Sequence, residues 1–153
     1  MSTIIEGPLY EKADLCEPIL RSLPDWFGIE EAIVHYADEI DRLPTWLALD
    51  EAQVLGFVSV KQHNQHAAEI YVMGVRAEAH RRGIGRGLIA QAEAWCRMRG
   101  VEYLQVKTLG PSHSDTYYAK TRSFYEAMGF RALEEFKQIW DEYNPCLVMV
   151  KKI

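Results

Sequence analysis

The sequence predicts an α+β fold in which a central mixed β-sheet is flanked by helices. Segments with strand patterns alternate with segments with helical patterns, in the order βααβββαβαββ. Short polar turns also join several strands as hairpins, so part of the sheet is expected to be antiparallel. With 153 residues, 48% of them hydrophobic and 25% charged, the chain is expected to form one domain over residues 1–153.

The first strand and the first helix are predicted from the N-terminal 22 residues. Residues 2–10, STIIEGPLY, have a strand composition. Asp14 and Glu17 have the spacing of a capping box, which predicts a helix with Asp14 as its N-cap and with Pro18 tolerated in its first turn. That helix is expected to end near residues 22–26, SLPDW.

A second helix and three strands follow. The helix is predicted over about residues 29–42, because apolar residues recur there at helical spacing: Ile29, Ile33, Ala37 and Ile40. The strand-like runs are 45–50, 54–62 and 68–75, and polar turns at Asp50–Glu51 and at 63–67 separate them.

The second half of the chain contains two helices and three strands. After residues 77–87, apolar residues line one face of a helix that Gly100 ends: Ile84, Leu88, Ala92, Trp95 and Cys96. A strand at 102–108 and a polar loop at 109–115 precede a short helix that Gly129 ends. The last two strands are expected at 130–136 and 146–153.

Composition restricts the functional classes. A net charge of −5 argues against nucleic-acid binding and is compatible with a cationic or amine substrate. Cys16, Cys96 and Cys146 have no metal-binding spacing, so we expect free buried thiols in a reducing cytoplasm and no metal. The N-terminal residues do not resemble a signal peptide, and no apolar run reaches the length of a membrane span, so we expect a cytoplasmic protein without a membrane partner.

Residues 80–87, HRRGIGRG, lead directly into a helix and predict an anion-binding site. A helix N-terminus offers unpaired N–H groups, and glycines allow a bulky anion close to the main chain. A dinucleotide-binding GxGxxG pattern fails because Leu88 stands where the third glycine would be, and no Gly-Lys pair supports a nucleotide P-loop. A glycine-rich turn with solvated arginines is the alternative.

Two segments resemble the motifs of one family. Residues 75–89, VRAEAHRRGIGRGLI, resemble motif A of the GNAT superfamily of N-acetyltransferases, and residues 121–130, TRSFYEAMGF, resemble motif B. The resemblance implies the GNAT fold and a loop that holds the pyrophosphate of acetyl-CoA. His80 stands where the family has Gln or Arg if Gly83 and Gly85 are the motif glycines. A register from Arg82 to Gly87 also matches, but we prefer the first, because Ile84 and Leu88 then begin the buried stripe.

The resemblance implies a set of cofactor contacts. We expect them from Met73, Gly74, Val75, His80, Arg81, Arg82, Gly83, Ile84, Gly85, Arg86, Gly87, Tyr118 and Tyr125. Main-chain N–H groups of residues 73–75 would stabilise the oxyanion, and Gly74 suits a β-bulge that leaves a donor unpaired. Tyr118 replaces an asparagine that is frequent in the family.

The same resemblance implies the catalytic groups. Tyr125 corresponds to the general acid that protonates the leaving thiolate; the alternative is a tyrosine that only packs on the sheet. Glu69, in an AEI context, is the candidate general base, expected to share a strand face with Tyr71 and Met73; the alternative is a solvated carboxylate. Other candidates for the base, on loops, are Asp115, His113 and His66.

The acceptor pocket is expected near the first two helices. Asp25, Trp26 and Phe27 could bind a cationic amine against an aromatic wall, although Trp26 and Phe27 could equally be core residues. The resemblance implies an N-acetyltransferase that transfers the acetyl group of acetyl-CoA to a primary amine of a small molecule or a protein, and it is compatible with a homodimer. A non-catalytic acyl-CoA-binding regulator of the same fold, a nucleotide-binding module and a different acyl donor remain alternatives.

Overall fold

The computed structural model describes residues 3–153, and the order of its elements agrees with the prediction. The strands are β1 (Ile4–Leu9), β2 (Thr45–Asp50), β3 (Gln53–Gln62), β4 (Ala67–Val75), β5 (Tyr103–Leu109), β6 (Arg131–Asp141) and β7 (Asn144–Lys152). The helices are α1 (Ala13–Arg21), α2 (Glu30–Ile40), α3 (Ile84–Met98) and α4 (Thr116–Ala127), with a short 3-10 turn at Ala77–Ala79.

The strands form one mixed sheet with two covered faces. Within residues 3–153 the sheet has seven strands in the order β1-β2-β3-β4-β5-β7-β6, and only β4 and β5 pair in parallel. On one face, Leu88 and Ile89 of α3 pack with Ile70 of β4. On the other face, Ile19 of α1 and Ile40 of α2 belong to a second buried cluster. The fold is therefore the predicted mixed sheet between helical layers.

The parallel strands β4 and β5 separate halfway along their length. Their pairing runs from Ala67–Tyr103 to Ile70–Val106 and goes no further, although β4 continues to Val75 and β5 to Leu109. Beyond Ile70, one edge of β4 therefore faces a gap and not a neighbouring strand. This divergence in the middle of the sheet creates the cavity described below.

A β-bulge in β4 changes which side chains share a face. Val60 of β3 pairs with Ile70 and Ser59 pairs with Val72, so Tyr71 is an extra residue in β4. Tyr71 packs against the α1–α2 core, whereas Met73 packs against the α3 core. The prediction that Met73 shares a face with Glu69 and Tyr71 is therefore wrong, because the bulge inverts the alternation between them.

The predicted capping of α1 is also wrong. The helix begins at Ala13, so Lys12 and not Asp14 is its N-cap, and the Ala13 N–H donates to Asp41 Oδ1 at 3.0 Å. Glu17 does not reach back to the helix start, because it accepts a hydrogen bond from Arg21 at 2.8 Å. Pro18 lies inside the helix and not in its first turn. A tertiary contact with Asp41 thus replaces the local cap.

Helix ends and cysteines agree with the sequence analysis. Gly100 and Gly129 follow α3 and α4 with φ values of +80° and +99°, the left-handed conformation expected at helix C-termini. Cys16, Cys96 and Cys146 are buried. No helix within residues 3–153 is long and apolar enough to cross a membrane.

Candidate active site

A cavity of about 710 Å³ occupies the gap between β4 and β5. Its walls also include the loop before α3, one face of α4 and the segment between α1 and α2. The predicted site residues that line it are Trp26, Phe27, Met73, Gly74, Val75, His80, Arg81, Gly83, Ile84, Gly85, Arg86, Tyr118 and Tyr125. The fold therefore brings the predicted cofactor loop, the predicted acid and part of the predicted acceptor segment to one cavity.

Four predicted site residues do not line this cavity: Asp25, Glu69, Arg82 and Gly87. Asp25 is exposed, and Arg82 lies 3.7 Å from Asp50 beside a separate smaller pocket. A Cβ atom on Gly87 would come within 2.7 Å of Ile5 Cδ1. The missing side chain of Gly87 therefore makes room for β1, and not for an anion as the sequence suggested.

The loop before α3 presents main-chain donors to the cavity. Arg81 and Gly83 both have left-handed φ values, +66° and +77°, and Gly83 precedes the first helical residue, Ile84. The N–H groups of a helix's first turn have no partner within the helix, so those of Ile84, Gly85 and Arg86 are available to a ligand. Ile84 and Leu88 are buried, which supports the register chosen from the sequence.

Gly85 leaves little space for a side chain. A Cβ atom there would lie 3.2 Å from Phe124 Cζ and 3.6 Å from Met73 Cε, where the loop, α4 and β4 meet. A Cβ atom on Gly83, by contrast, would have no atom within 4 Å, so only its backbone conformation favours glycine there.

The free edge of β4 directs alternate main-chain groups into the gap. Arg76 N–H donates to Leu55 O of β3 at 2.8 Å. Because successive strand residues point to opposite neighbours, Gly74 also turns its main-chain groups toward β3, whereas Met73 and Val75 turn theirs toward the gap. The bulge predicted at Gly74 lies at Tyr71 instead.

Gly74 has a packing role. A Cβ atom on Gly74 would lie 3.2 Å from Ile19 Cγ2, so the glycine lets α1 approach the sheet. The main-chain donors of this stretch that a ligand in the gap can reach are consequently those of Met73 and Val75.

His80 contacts this edge directly. Its Nε2 lies 2.7 Å from the carbonyl oxygen of Val75, so Nε2 carries the proton and donates it. The imidazole also meets the Trp26 indole edge to face, with ring centroids 5.8 Å apart. His80, which stands where the family has Gln or Arg in motif A, therefore connects the loop to the end of β4.

Tyr125 lies in the cavity wall on the α3 side of the sheet. It is 6% exposed, and its ring contacts Phe124 and Phe130 with centroids 5.3 and 5.6 Å away. Burial, together with the nearby Tyr118 and Tyr36, raises the pKa of Tyr125 above its ordinary value. Tyr125 therefore retains its proton at neutral pH, as a general acid must.

Trp26 ties the segment between α1 and α2 to α4. Its Nε1–H donates to Thr121 Oγ1 at 2.9 Å, its carbonyl oxygen accepts from the Tyr118 hydroxyl, and its ring meets Tyr117 at 5.1 Å. Trp26 and Phe27 also pack against the α1–α2 core while lining the cavity. Trp26 and Phe27 are thus both core residues and part of the cavity wall, as the two alternatives from the sequence proposed.

Glu69 is buried behind the cavity wall. It is 3% exposed, and its Oε1 lies 2.7 Å from His63 Nε2 and 3.4 Å from Lys107 Nζ. The solvated-carboxylate alternative is therefore wrong for Glu69. A proton from an amine in the cavity would reach Glu69 only through a relay.

The other three candidate bases lie outside the walls of the cavity in the described structure. Asp115 caps α4, because its Oδ1 accepts from the N–H groups of Tyr117 and Tyr118. His66 pairs with Glu102 at 2.9 Å, and His113 lies in the loop before α4.

Several residues that line the cavity were missed from the sequence: Tyr36, Tyr71, Lys107, Thr108, Lys120 and Trp140. Thr108 is 3% exposed, and its Oγ1 has no hydrogen-bond partner within residues 3–153. An unpaired buried hydroxyl is costly, so this part of the cavity suits a ligand or a water with a polar atom beside Thr108. The available signal was the pair Lys107–Thr108, two adjacent polar residues near the end of β5.

The comparisons with known proteins identify the family. A family model described as an acetyltransferase (GNAT) domain matches residues 41–132. The chain belongs to the GNAT family of acetyltransferases. Mycothiol acetyltransferase from Beutenbergia cavernae is 33% identical over 87 residues, which make up 56% of this chain and 27% of that protein. This chain thus spans about a quarter of the length of that relative.

Solved structures show the same fold. A chain from Desulfovibrio desulfuricans assigned to the GNAT family has a TM-score of 0.83 at 19% identity, over 99% of both chains. PaiA N-acetyltransferase from Thermoplasma acidophilum, solved in complex with coenzyme A, has a TM-score of 0.76 at 20% identity, over 100% of both chains. At these identities the likeness concerns the fold alone.

Proposed function

We propose that this protein is an N-acetyltransferase that moves the acetyl group of acetyl-CoA to a primary amine. One observation carries the proposal: a single cavity extends from the N-terminus of α3, along the free edge of β4, to the buried Tyr125. Membership of the GNAT family and the coenzyme A complex of PaiA support the choice of acyl donor.

The residues of the cavity fit coenzyme A chemically. The first-turn N–H groups of α3, with Arg81 and Arg86 beside them, suit a diphosphate. The free edge of β4 suits the amide groups of pantetheine, which can pair with it as an added strand. The buried hydroxyl of Thr108 needs a polar partner that the described chain does not supply.

Acetyl-CoA, when bound, supplies an activated acetyl thioester. Met73 N–H, which faces the gap, would donate to the acetyl oxygen as negative charge develops there. The amine nitrogen forms a bond to the acetyl carbon while the carbon–sulfur bond breaks, and the bonding electrons leave with sulfur. Tyr125 gives its proton to that sulfur. Glu69 accepts the proton that the amine loses, through water, because the carboxylate lies behind the wall.

The acceptor is a small-molecule amine or an amine of a protein, and the three buried thiols suit a reducing compartment such as the cytoplasm. Thiol release from acetyl-CoA in the presence of a panel of amines tests the activity. Amine-dependent release supports the transferase. Coenzyme A binding without turnover would indicate the non-catalytic regulator, and preferential binding of ATP or NAD would indicate a nucleotide-binding module.

A further inference from the structure

The charged side chains that line the cavity in the described structure are all basic. Within residues 3–153, no Asp or Glu side chain lines the cavity. The basic residues that line it are His80, Arg81, Arg86, Lys107 and Lys120. His80, Arg81 and Arg86 belong to the loop before α3 or to α3, where the diphosphate is proposed to bind, and Lys120 belongs to α4. Lys107, on β5, needs a separate explanation.

Lys107 points to the α1–α2 face of the sheet, because its neighbour Val106 packs in the core on the α3 face. Its Nζ is 3.4 Å from Glu69 Oε1. The rings of Tyr36 and Tyr71 have centroids 5.7 Å apart, and their pKa values are raised chiefly by burial, with the negative charge of Glu69 adding to the effect. Lys107 therefore faces the part of the cavity that the cofactor loop does not reach, where an acceptor would bind.

The ammonium group of Lys107 has N–H donors available for a ligand. Glu69 Oε1 is its partner at the long distance of 3.4 Å, and the same oxygen has a closer partner in His63 at 2.7 Å. An ammonium group has three N–H donors, and 32% of the Lys107 side chain remains exposed. The Glu69 carboxylate therefore positions Lys107 but uses only part of the hydrogen-bonding capacity of its ammonium group.

An aromatic wall adjoins Lys107. The Phe27 and Tyr36 rings meet edge to face at 6.0 Å, and the Tyr36 and Tyr71 rings at 5.7 Å. All three rings line the cavity, together with Trp140 from β6. Such a surface binds an apolar or aromatic body, and one cation beside it binds one anionic group.

We propose that the acceptor amine also carries a carboxylate, which Lys107 binds, and an apolar or aromatic body, which packs on Phe27, Tyr36 and Tyr71. Free amino acids with apolar side chains have this chemistry. The inference rests on the proposed function, because it identifies the acceptor of that reaction. A polyamine is disfavoured, because its further ammonium groups would meet Lys107 and no lining carboxylate.

Matched substrates test the proposal. L-phenylalanine and L-leucine are each compared with the amine that lacks only the carboxylate, phenethylamine and isoamylamine, and spermidine represents polyamines. We expect kcat/KM for each amino acid to exceed that of its decarboxylated partner about 10- to 100-fold, the range of a charged hydrogen bond. L-phenylalaninamide, in which a neutral amide replaces the carboxylate, should resemble phenethylamine. Equal or inverted preferences in both pairs, or preference for spermidine, would overturn the proposal.

Variants of Lys107 test whether this residue binds the carboxylate of the acceptor. K107M should remove the preference by lowering kcat/KM for the amino acids about 10- to 100-fold more than for their decarboxylated partners, whose rates report any effect that acts through Glu69, and K107R should restore most of it. K61M is the matched control, because Lys61 lies 5.5 Å from the Tyr71 ring centroid but pairs with Glu39 outside the cavity lining. Coenzyme A affinity, measured by calorimetry, should be unchanged in all three variants and verifies their folding. An undiminished preference in a folded K107M protein would exclude Lys107 from this role.

Direct binding separates this proposal from the proposed function. N-acetyl-L-phenylalanine, titrated into the coenzyme A-saturated protein, should quench the fluorescence of the cavity tryptophans, with binding weakened about tenfold or more in K107M. Carboxylate-dependent binding without turnover would contradict the transferase but support the pocket. Turnover of amines without carboxylate-dependent binding would support the transferase and contradict the pocket.

Discussion

At the scale of single residues, burial determines what Tyr125 and Glu69 can do. The phenol of Tyr125 is surrounded by Phe124 and Phe130 and keeps its proton, because its ionised form would lose solvation. Glu69 is equally buried, but hydrogen bonds from His63 and Lys107 compensate for its desolvation. The proposed acid, Tyr125, packs in the core on the α3 face of the sheet, and the Glu69 carboxylate lies on the other face beside Lys107.

Replacement of Tyr125 by Phe removes the proposed acid and retains the ring packing. We expect kcat to fall about 100-fold or more, with coenzyme A affinity unchanged within about twofold. In the wild-type protein, Tyr125 should cause no alkaline loss of kcat between about pH 6 and 9, because its pKa is raised from the ordinary value of about 10. Tyr103→Phe, at an exposed position on β5, is the control. Full activity of the Tyr125 variant would remove the acid role.

Replacement of Glu69 by Gln tests the base. We expect kcat/KM to fall about 100-fold near neutral pH and to recover as the pH rises, because more of the amine is then already deprotonated in solution. Glu102→Gln is the matched control, since Glu102 pairs with His66 outside the lining of the cavity. Rates that are reduced by the same factor at every pH would assign Glu69 a positioning role only.

At the scale of elements, the entry into α3 depends on glycines that serve different purposes. Gly83 provides a left-handed residue before the helix, Gly85 a close approach to Phe124, and Gly87 space for Ile5. The three glycines look equivalent in the sequence. Only Gly85 both lines the cavity and has little room for a side chain.

Gly85→Val should therefore abolish ligand binding at this helix end. Its Cβ atom would lie 3.2 Å from Phe124, and its methyl groups would enter the cavity, so we expect coenzyme A affinity to fall about 100-fold or more by calorimetry. Gly100→Ala is the contrasting variant. Its left-handed φ of +80° should reduce the free energy of unfolding by roughly 1 kcal/mol with no change in affinity. Normal affinity of the Gly85 variant would mean that the loop is not the diphosphate site.

At the scale of the whole molecule, the divergence of β4 from β5 leaves the sheet open at its centre. The N–H groups of Met73 and Val75 and the hydroxyl of Thr108 face this opening, whereas the Val75 carbonyl already accepts from His80. A sheet with unpaired polar groups inside it is incompletely stabilised, and a ligand that pairs with them adds its binding free energy to the folded state.

Coenzyme A should accordingly stabilise the protein against heat. At a concentration about 100-fold above its Kd, a ligand contributes about 2.7 kcal/mol, so we expect Tm to rise by about 5–10 °C. ATP and NAD at the same concentration should have little effect, and the Gly85→Val variant should not respond to coenzyme A. An equal rise with ATP would favour the nucleotide-binding alternative.

Much of the fold could be predicted from the sequence, because periodicity and turn residues are local properties. The helical stripe of Ile84 and Leu88 and the glycines at 100 and 129 all appear as expected. The errors occur where a distant contact overrides a local preference. Asp41 replaces the capping box of α1, and the bulge at Tyr71 depends on pairing with β3.

The sequence by itself determined the order of the elements, the start of α3 and the two motifs, since each is written in neighbouring residues. Tertiary structure decided which residues meet. Glu69 comes within reach of Lys107 because β4 and β5 are paired at Glu69 and Gln105. Trp26 binds Thr121 of α4, which lies 95 residues away in the sequence. Distances between segments far apart in the chain depend on how the layers pack, and no local pattern encodes them.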